Sequence, residues 1–359
     1  MISEQHYDVL VVGGGVIGLS IAWRAARGGL AVAVITGLPK PGKASDAAAG
    51  MLAPISETKP TEERLLRMGL TSAQRWPEFA DELEAASGFD IGYRTDGTLA
   101  IALDTGDRAE LERLGSILHG FRLEADLLTS REARALEPLL APSVRGGLHI
   151  PSDHSVDPRL LMAALLIAAE RETVTVIADD AAALTDDGVV TKLDGRQIHA
   201  TTTVLAAGWW SQRLAATEGH DLGVRPVKGQ ALRLRAPALL LPTRTVRGVV
   251  AGSSVYLVPR ADGEVIVGAT QEEVGPDTTV TAGAVWELLR DARALVPGVT
   301  EMELIEVSVG LRPMTADSLP VVRELRPGLI AAVGHGRNGV LLAPLTADEL
   351  VQQLVGVSA

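Results

Sequence analysis

The sequence predicts an α/β protein in which a Rossmann-like dinucleotide-binding domain, discontinuous along the chain, surrounds an inserted β-rich α+β domain. Three observations carry that prediction. A valine-rich run, Tyr7 to Val12, leads into Gly13-Gly14-Gly15-Val16-Ile17-Gly18 and then into apolar residues at helical spacing, Ile21, Ala22 and Ala25. Between Val227 and Gly310 the pattern changes to short strands separated by turns. From Leu329 it returns to strand, glycine turn and helix. The matching division assigns residues 1–88, 146–222 and 311–359 to the dinucleotide domain, and 89–145 and 223–310 to the inserted one.

Each element follows from local chemistry. Gly28-Gly29 end the first helix, and Ala31 to Ile35 is a second buried strand, completing a βαβ unit. Thr61 to Ala86 reads as a helix interrupted near Trp76-Pro77, because proline lacks a backbone donor. Gly97 to Leu103 is expected as strand, and Leu111 to Leu118 and Ser130 to Leu136 as short amphipathic helices. Asp157-Pro158 starts a helix whose buried face is Leu160 to Ala169. Strands follow at Val174 to Ile177, Val189 to Leu193 and Thr203 to Ala206, with Asp187-Gly188 as a turn. In the β-rich part the strands are Gly229 to Arg235, Val255 to Pro259 and Glu264 to Ala269, the last two joined at Asp262-Gly263. A helix at Thr281 to Leu295 and a strand at Glu303 to Val309 complete it. After Leu329 to Val333 a turn at Gly334 to Gly339 opens the last helix, which a Thr346/Glu349 capping box restarts beyond Pro344.

Composition narrows the function. At 359 residues and 47% apolar content the chain can bury a large core. Its longest apolar run, Leu160 to Ala169, is about half a bilayer crossing, so no membrane span is expected. MISEQHYD lacks the basic start of a signal peptide, which points to the cytoplasm. A formal charge of −12 with no basic block argues against nucleic acid. Zero cysteines exclude disulfides, thiolate metal sites, a cysteine nucleophile and a cysteine-linked flavin. The seven histidines are scattered, and no metal site is expected. The composition leaves a homo-oligomer open.

The glycine turn poses a question at the end of the second strand, where an Asp or Glu usually holds the adenosine ribose. Here that position is Thr36. The turn could be fortuitous, could serve a 2′-phosphorylated nicotinamide with Lys40 and Lys43 as counter-ions, or could bind a flavin dinucleotide. Pro39 and Pro41 make the lysines look like solvated loop residues.

Four separated stretches decide between these: Gly13 to Gly18, Ala47 to Met51 (AAAGM), Val204 to Trp210 (VLAAGWW) and Gly334 to Gly339 (GHGRNG). With PVKGQ at Pro226 to Gln230, VYLVPRADGEVIVGAT at Val255 to Thr270 and VGLRPMTADSLPVV at Val309 to Val322, the chain resembles the D-amino acid oxidase superfamily of FAD-dependent amino-acid and amine oxidases nearly end to end. Within it the resemblance is to the glycine oxidase family. It implies non-covalent FAD, with Gly13, Gly15, Val16, Ile17 and Gly18 around the pyrophosphate at a helix N-terminus. It implies that Ala48, Gly50 and Met51 pass along the flavin, that Ala207 and Gly208 approach it, and that His335, Gly336, Arg337, Asn338 and Gly339 present a second helix N-terminus to its pyrimidine. Thr36 offers the ribose one hydroxyl in place of a carboxylate, a loss of about 1–2 kcal/mol.

The same resemblance makes Arg312 the clamp for a substrate carboxylate and Tyr256 its neighbour, where the residues alone allow a structural ion pair and a core tyrosine. Arg337 either contacts substrate or holds its own loop. Ser254 stands where glycine oxidases can carry a histidine, His335 reads as a loop hydrogen-bonder, and Trp209 and Trp210 as packing. The implied reaction is oxidative deamination of a small amino acid, glycine first, by hydride transfer to flavin N5 with dioxygen as oxidant. A link to thiazole synthesis for thiamine is implied by resemblance alone. Sarcosine oxidation and D-amino acid oxidase or dehydrogenase activity are alternatives. A flavin-binding or RNA-modification subunit is disfavoured by the acidic charge and by the presence of Arg312 and Tyr256.

Overall fold

In the computed structural model, which describes residues 6–37, 41–57, 61–191 and 195–357, the first strand is β1 (His6–Val12). It passes through the glycine turn into α1 (Val16–Arg27), and β2 (Val32–Ile35) returns parallel to it, with Val9 opposite Val32 and Val12 opposite Ile35. The two strands end level, so the glycine turn and Thr36 share one opening. The alanine segment makes a single turn, α2 (Ala44–Ala47), before β3 (Met51–Leu52). The helix ends at Ala48, whose backbone turns extended, and Gly50 follows at a φ of 75°, where a Cβ would strike the Val156 carbonyl.

α3 (Glu63–Ser87) runs unbroken through Pro77, against the expected interruption. The missing hydrogen bond and the ring clash cost about 3 kcal/mol. Burial outweighs them: Trp76, Phe79 and Leu83 are at most 1% exposed, and Trp76 Nε1 donates to Leu341 O at 2.9 Å. The chain continues through β4 (Thr98–Ala102), α4 (Thr105–Gly120), β5 (Asp126–Leu128), α5 (Ser130–Leu136), β6 (Gly146–Ile150) and β7 (His154–Ser155). α4 starts earlier than expected because Asp104 and Asp107 form a reciprocal capping box. α6 (Pro158–Arg171) begins where anticipated, with Asp157 accepting from the Arg159 and Leu160 amides. β8 (Thr175–Ile177), β9 (Ala181–Thr185), β10 (Gly188–Thr191), β11 (Gln197–Leu205) and α7 (Ser211–Ala216) follow.

The β-rich part comprises β12 (Arg225–Arg235), β13 (Thr245–Val250), β14 (Ser253–Pro259), β15 (Glu264–Gly268), α8 (Ala282–Leu295) and β16 (Glu303–Met314). β3, β5, β6, β7, β9 and β13 have no counterpart among the expected strands, nor does Val321–Arg326 further on. β16 is longer than expected, so Arg312 lies inside a strand and not past its end. The finish is β17 (Val321–Arg326), β18 (Leu329–Val333) and α9 (Gly339–Val357). α9 also runs through its proline, Pro344, and no capping box restarts it; the Thr346 hydroxyl instead meets His335 Nε2 at 3.0 Å.

Among the described residues the strands form two large sheets and one two-stranded ribbon. The first has the order β17-β18-β11-β1-β2-β8, with β10 and β9 attached at β11, and its β18, β11, β1, β2 and β8 are mutually parallel. Val9, Val11, Trp23, Leu165 and Leu341 pack between this sheet and the helices α1, α3, α6 and α9. The second has the order β16-β12-β15-β14-β13-β4-β6-β5. Its Leu232, Leu257 and Val267 bury one face against Leu288 and Leu295 of α8. The alternating residues Ala231, Tyr256 and Gly268 therefore present the other face. We propose to divide the domains by sheet. The expected boundaries then move, because β6 and all of β16 pair in the second sheet although residues 146–150 and 311–314 were expected in the dinucleotide domain.

Candidate functional site

That free face of the second sheet and the upper ends of β1, β2 and β11 enclose a cavity of about 1280 Å³, above the usual range for small-ligand pockets. Gly13, at a φ of 123°, sits so close to β11 that a Cβ would lie 2.5 Å from the Ala206 carbonyl carbon. A Cβ on Gly14 would lie 2.8 Å from Thr36 Cβ. Gly13, Gly15, Val16 and Ile17 line the cavity. Gly18 does not: a Cβ there would collide with the Gly13 carbonyl, so it seats α1 on the turn. No side chain caps α1 and no acid stands in its first turn, although Ser45 Oγ accepts from Val16 N at 3.1 Å. The remaining first-turn amides and the positive end of the dipole face the cavity, which suits a pyrophosphate.

Thr36 lines the neighbouring end with Gly37, Val176, Asp180 and Ala181. Its hydroxyl lies 3.4 Å from Ile177 O and 3.5 Å from Gly37 O, so its donor is turned to backbone. Asp180 brings a carboxylate beside the same spot, 3.1 Å from where a Cβ of Gly37 would be. Lys43 lines the cavity, whereas Lys40 lies outside the described residues.

Ala48, Gly50 and Met51 line the middle of the cavity, opposite Ala207 and Gly208. The 48–51 stretch is pinned from behind by Arg260, 3% exposed, which donates to Val156 O at 2.9 Å and to the Ala49 carbonyl. Burial lowers the Arg260 pKa to about 10, with Asp157 opposing at 3.5 Å. His335, Gly336, Arg337 and Gly339 reach the wall at the start of α9, while Asn338 is buried behind it with its amide on His335 O at 3.0 Å. Burial pushes the His335 pKa down to about 3, so its imidazole is neutral. Arg337 lines the cavity, but its guanidinium is paired with Glu62 and donates to Glu57 O at 3.1 Å. The guanidinium is thus engaged by Glu57 and Glu62, outside its own turn. Trp210 lines the cavity, and the Trp209 ring packs against it at a tilt of 34° with centroids 4.8 Å apart.

The free sheet face supplies the other wall. Register places Arg247, Tyr256, Gly268 and Ala231 in one row across β13, β14, β15 and β12. The Tyr256 ring lies across Gly268, and the Arg312 guanidinium lies across Gly229 from the other side; a Cβ on either glycine would overlap the side chain above it. Hydroxyl and guanidinium thus converge above adjacent strands. Burial, reinforced by the Glu57 charge and opposed by Arg312, Arg247 and Arg260, raises the Tyr256 pKa to about 12, so the hydroxyl keeps its proton. Arg312 Nη1 donates to Thr270 O at 3.0 Å, and Arg312 makes no ion pair with any described carboxylate. Ser254 shares the Tyr256 face and lines the same cavity.

Arg247, Asp180 and Arg260 are absent from the sequence-based expectations. Arg247 lines the cavity and donates to Ser56 Oγ at 3.1 Å, and Ser56 N is held by the buried Asp153 at 2.8 Å. Its sequence signal is an arginine within a valine-rich run, TVRGVV. For Asp180 the signal is an acid pair directly after the strand beside β2.

The wall therefore fits an extended flavin dinucleotide: side-chain-free turns at β1, an open helix N-terminus, polar groups at the β2 end and a long apolar middle. Among the described residues no helix is long and apolar enough to cross a membrane, and no cluster of three metal-ligating side chains occurs. Comparison with known proteins agrees with this wall. The chain is 37% identical over 353 residues to glycine oxidase of Geobacillus kaustophilus, covering 95% of this chain and 91% of that one. The crystal structure of that enzyme superposes with a TM-score of 0.88 at 35% identity, covering 97% of this chain and 95% of that one. An iminodiacetate oxidase from Chelativorans sp. BNC1 superposes at 0.86 with 29% identity, covering 97% and 95%. The bifunctional protein ThiO/ThiG of Trichormus variabilis is 34% identical, across 96% of this chain but only 53% of its own length. The sequence pattern of the FAD-dependent oxidoreductase family, DAO, matches residues 8–353, and the chain belongs to that family, with FAD as its cofactor.

Proposed function

We propose that the protein oxidises a small amino acid, glycine before others, with dioxygen and water to an α-keto acid, ammonia and hydrogen peroxide. For glycine the keto acid is glyoxylate. Two electrons and two hydrogens leave the amine and its α-carbon, dioxygen becomes peroxide, and water hydrolyses the imine. Bound FAD supplies the two-electron acceptor between substrate and dioxygen. The side chains bind and orient. The observation that carries this reading is Arg312, a guanidinium in a half-buried position with no carboxylate partner among the described residues, facing the cavity beside a protonated tyrosine. Its planar fork matches a substrate carboxylate, and the Tyr256 hydroxyl donates to the same group. Anchoring the carboxylate fixes where the α-carbon sits, which is the main catalytic contribution available without a protein base. Similarity to glycine oxidase and to ThiO/ThiG supports a role in supplying thiazole synthesis for thiamine.

Arg247 favours a second reading. A second cavity-lining guanidinium without a described carboxylate partner suits substrates with a further anionic group, as in the iminodiacetate oxidase relative. A peroxide assay per bound flavin across glycine, sarcosine, iminodiacetate and D-alanine separates the two. The highest kcat/KM on glycine supports the first reading and on iminodiacetate the second. Absence of peroxide with every amino acid would sink both.

A further inference from the structure

PVKGQ carries a buried lysine that the site as described leaves without a role. Gly229 of this motif is the floor beneath Arg312, so Lys228 and Gln230 point to the opposite side of β12. Lys228 is 1% exposed. Its ammonium lies 2.5 Å from Asp277 Oδ2 and 3.6 Å from Glu272 Oε2, both on the segment that leaves β15 and leads to α8. Main-chain hydrogen bonds of 3.0 and 2.9 Å between Lys228 and Glu272 fasten the same segment to β12. Burial works against the charged lysine, but the Asp277 hydrogen bond and the two carboxylate charges overcome it, and its pKa is raised. Asp277 is held down at about 2, chiefly by its hydrogen bond from Lys228. Because the ammonium is buried it depends on these two carboxylates to compensate its charge, which makes it a fixed point for the segment that carries them.

Glu272 passes this fixed point on. Its Oε1 accepts from Thr270 Oγ1 at 2.5 Å and from Gln230 Nε2 at 2.8 Å. Thr270 is held on two further sides, its hydroxyl accepting from Gln230 N at 2.9 Å and its amide donating to Gln230 O at 3.1 Å. What remains of Thr270 is its carbonyl, and that carbonyl accepts from Arg312 Nη1 at 3.0 Å. Among the described residues the guanidinium thus rests on the bare surface of Gly229 and hydrogen-bonds the Thr270 carbonyl.

We propose that Lys228 and Glu272 are positioning residues for the Arg312 clamp, holding the Thr270 carbonyl so that the free side of the guanidinium fork faces the substrate carboxylate. The inference rests on Arg312 binding that carboxylate. Neither Lys228 nor Glu272 lines the cavity, so neither touches substrate. Misplacing a clamp by about an ångström is enough to cost one to two powers of ten in binding or rate.

The test uses the FAD-loaded protein and acetate as a probe for the carboxylate subsite, read by perturbation of the flavin absorbance, alongside KM and kcat for glycine. Lys228→Met and the isosteric Glu272→Gln are each expected to raise the acetate Kd and the glycine KM about tenfold, with kcat within about threefold and flavin content unchanged. Lys228→Arg should recover most of the loss. In an Arg312→Ala background either substitution should have no further effect on the acetate Kd. A merely structural network would lower melting temperature and flavin content while leaving the Kd of the surviving holoenzyme alone. An unchanged acetate Kd in yellow, folded Glu272→Gln overturns the proposal even if Lys228→Met fails to fold. If Arg312→Ala itself leaves the acetate Kd unchanged, the clamp reading fails instead, and the two failures are distinct.

Discussion

Arg312→Ala is the perturbation on which the functional reading turns. Removing one partner of a fully buried ion pair costs about 3–5 kcal/mol. Arg312 is half-buried and already gives one N–H to Thr270 O, so solvent screening and that shared donor reduce the figure to about 2–4 kcal/mol. The corresponding loss in kcat/KM is roughly 30- to 1000-fold. Arg312→Lys keeps the charge but not the fork, and losing one hydrogen bond of about 1 kcal/mol should raise KM several-fold with kcat little changed. Steady-state kinetics per bound flavin should be measured on amino acids and on matching amines without the carboxylate. In Arg312→Ala the preference for the carboxylated partner should vanish, because only the carboxylate meets the guanidinium. Loss of the Thr270 hydrogen bond should lower stability by about 1 kcal/mol, which thermal melting reports separately. Normal per-flavin kinetics in Arg312→Ala would refute the clamp and remove the main support for an amino-acid substrate.

Two further expectations concern the β2 end and the core. Asp180→Asn should weaken FAD binding about five- to tenfold, the roughly 1 kcal/mol between a charge-assisted and a neutral hydrogen bond, if its carboxylate takes over from the acid that Thr36 replaces. Thr36→Glu should then tighten FAD more in the Asp180→Asn background than in the native one, where two carboxylates would repel; equal effects in both would show that the two positions do not share a ligand group. Burial raises the Asp153 pKa from 3.8 to about 6 despite its hydrogen bonds from Ser56 and Ile55. The folded protein therefore holds that proton more tightly than the unfolded chain, so stability from this group is full below about pH 4 and falls until about pH 6, by roughly 3 kcal/mol in all. Asp153→Asn should escape that loss, and denaturant melts at pH 4 and pH 7 should show the variant gaining on the native protein at the higher pH. Parallel pH profiles would mean that Asp153 is not desolvated as the structure has it.

Legibility followed sequence distance. The dinucleotide turn could be read because strand, glycines and helix are consecutive, and each glycine answers to a neighbour within the unit or to the adjoining strand end. Helix boundaries failed at Pro77 and Pro344, where local chemistry predicts a break and tertiary burial outweighs it. Arg247 and Asp180 were invisible for another reason. Each lies on or directly after a short strand with a partner far along the chain, Arg247 opposite Ala100 of β4 and Asp180 beside Gly37, and register between distant strands is set by packing that no local pattern contains.

One kind of signal at the substrate wall was nevertheless present in the sequence as a missing side chain. Glycine inside a strand weakens it, so a glycine in a central strand marks a place where something else must come close. Gly229, Gly268 and Gly310 lie in β12, β15 and β16, and each meets such a neighbour: the Arg312 guanidinium, the Tyr256 ring and the Ala47 side chain of α2. The first two let long polar side chains lie flat across neighbouring strands, so that hydroxyl and guanidinium meet over the sheet instead of standing apart above their own strands. The third brings α2, with Ser45 against the glycine turn, down onto the same sheet. A Cβ at any of the three would lift one wall from the other. The glycines in KGQ, VGAT and VGLR are thus the points at which the sheet that orients substrate is fitted to the segment that runs along the flavin.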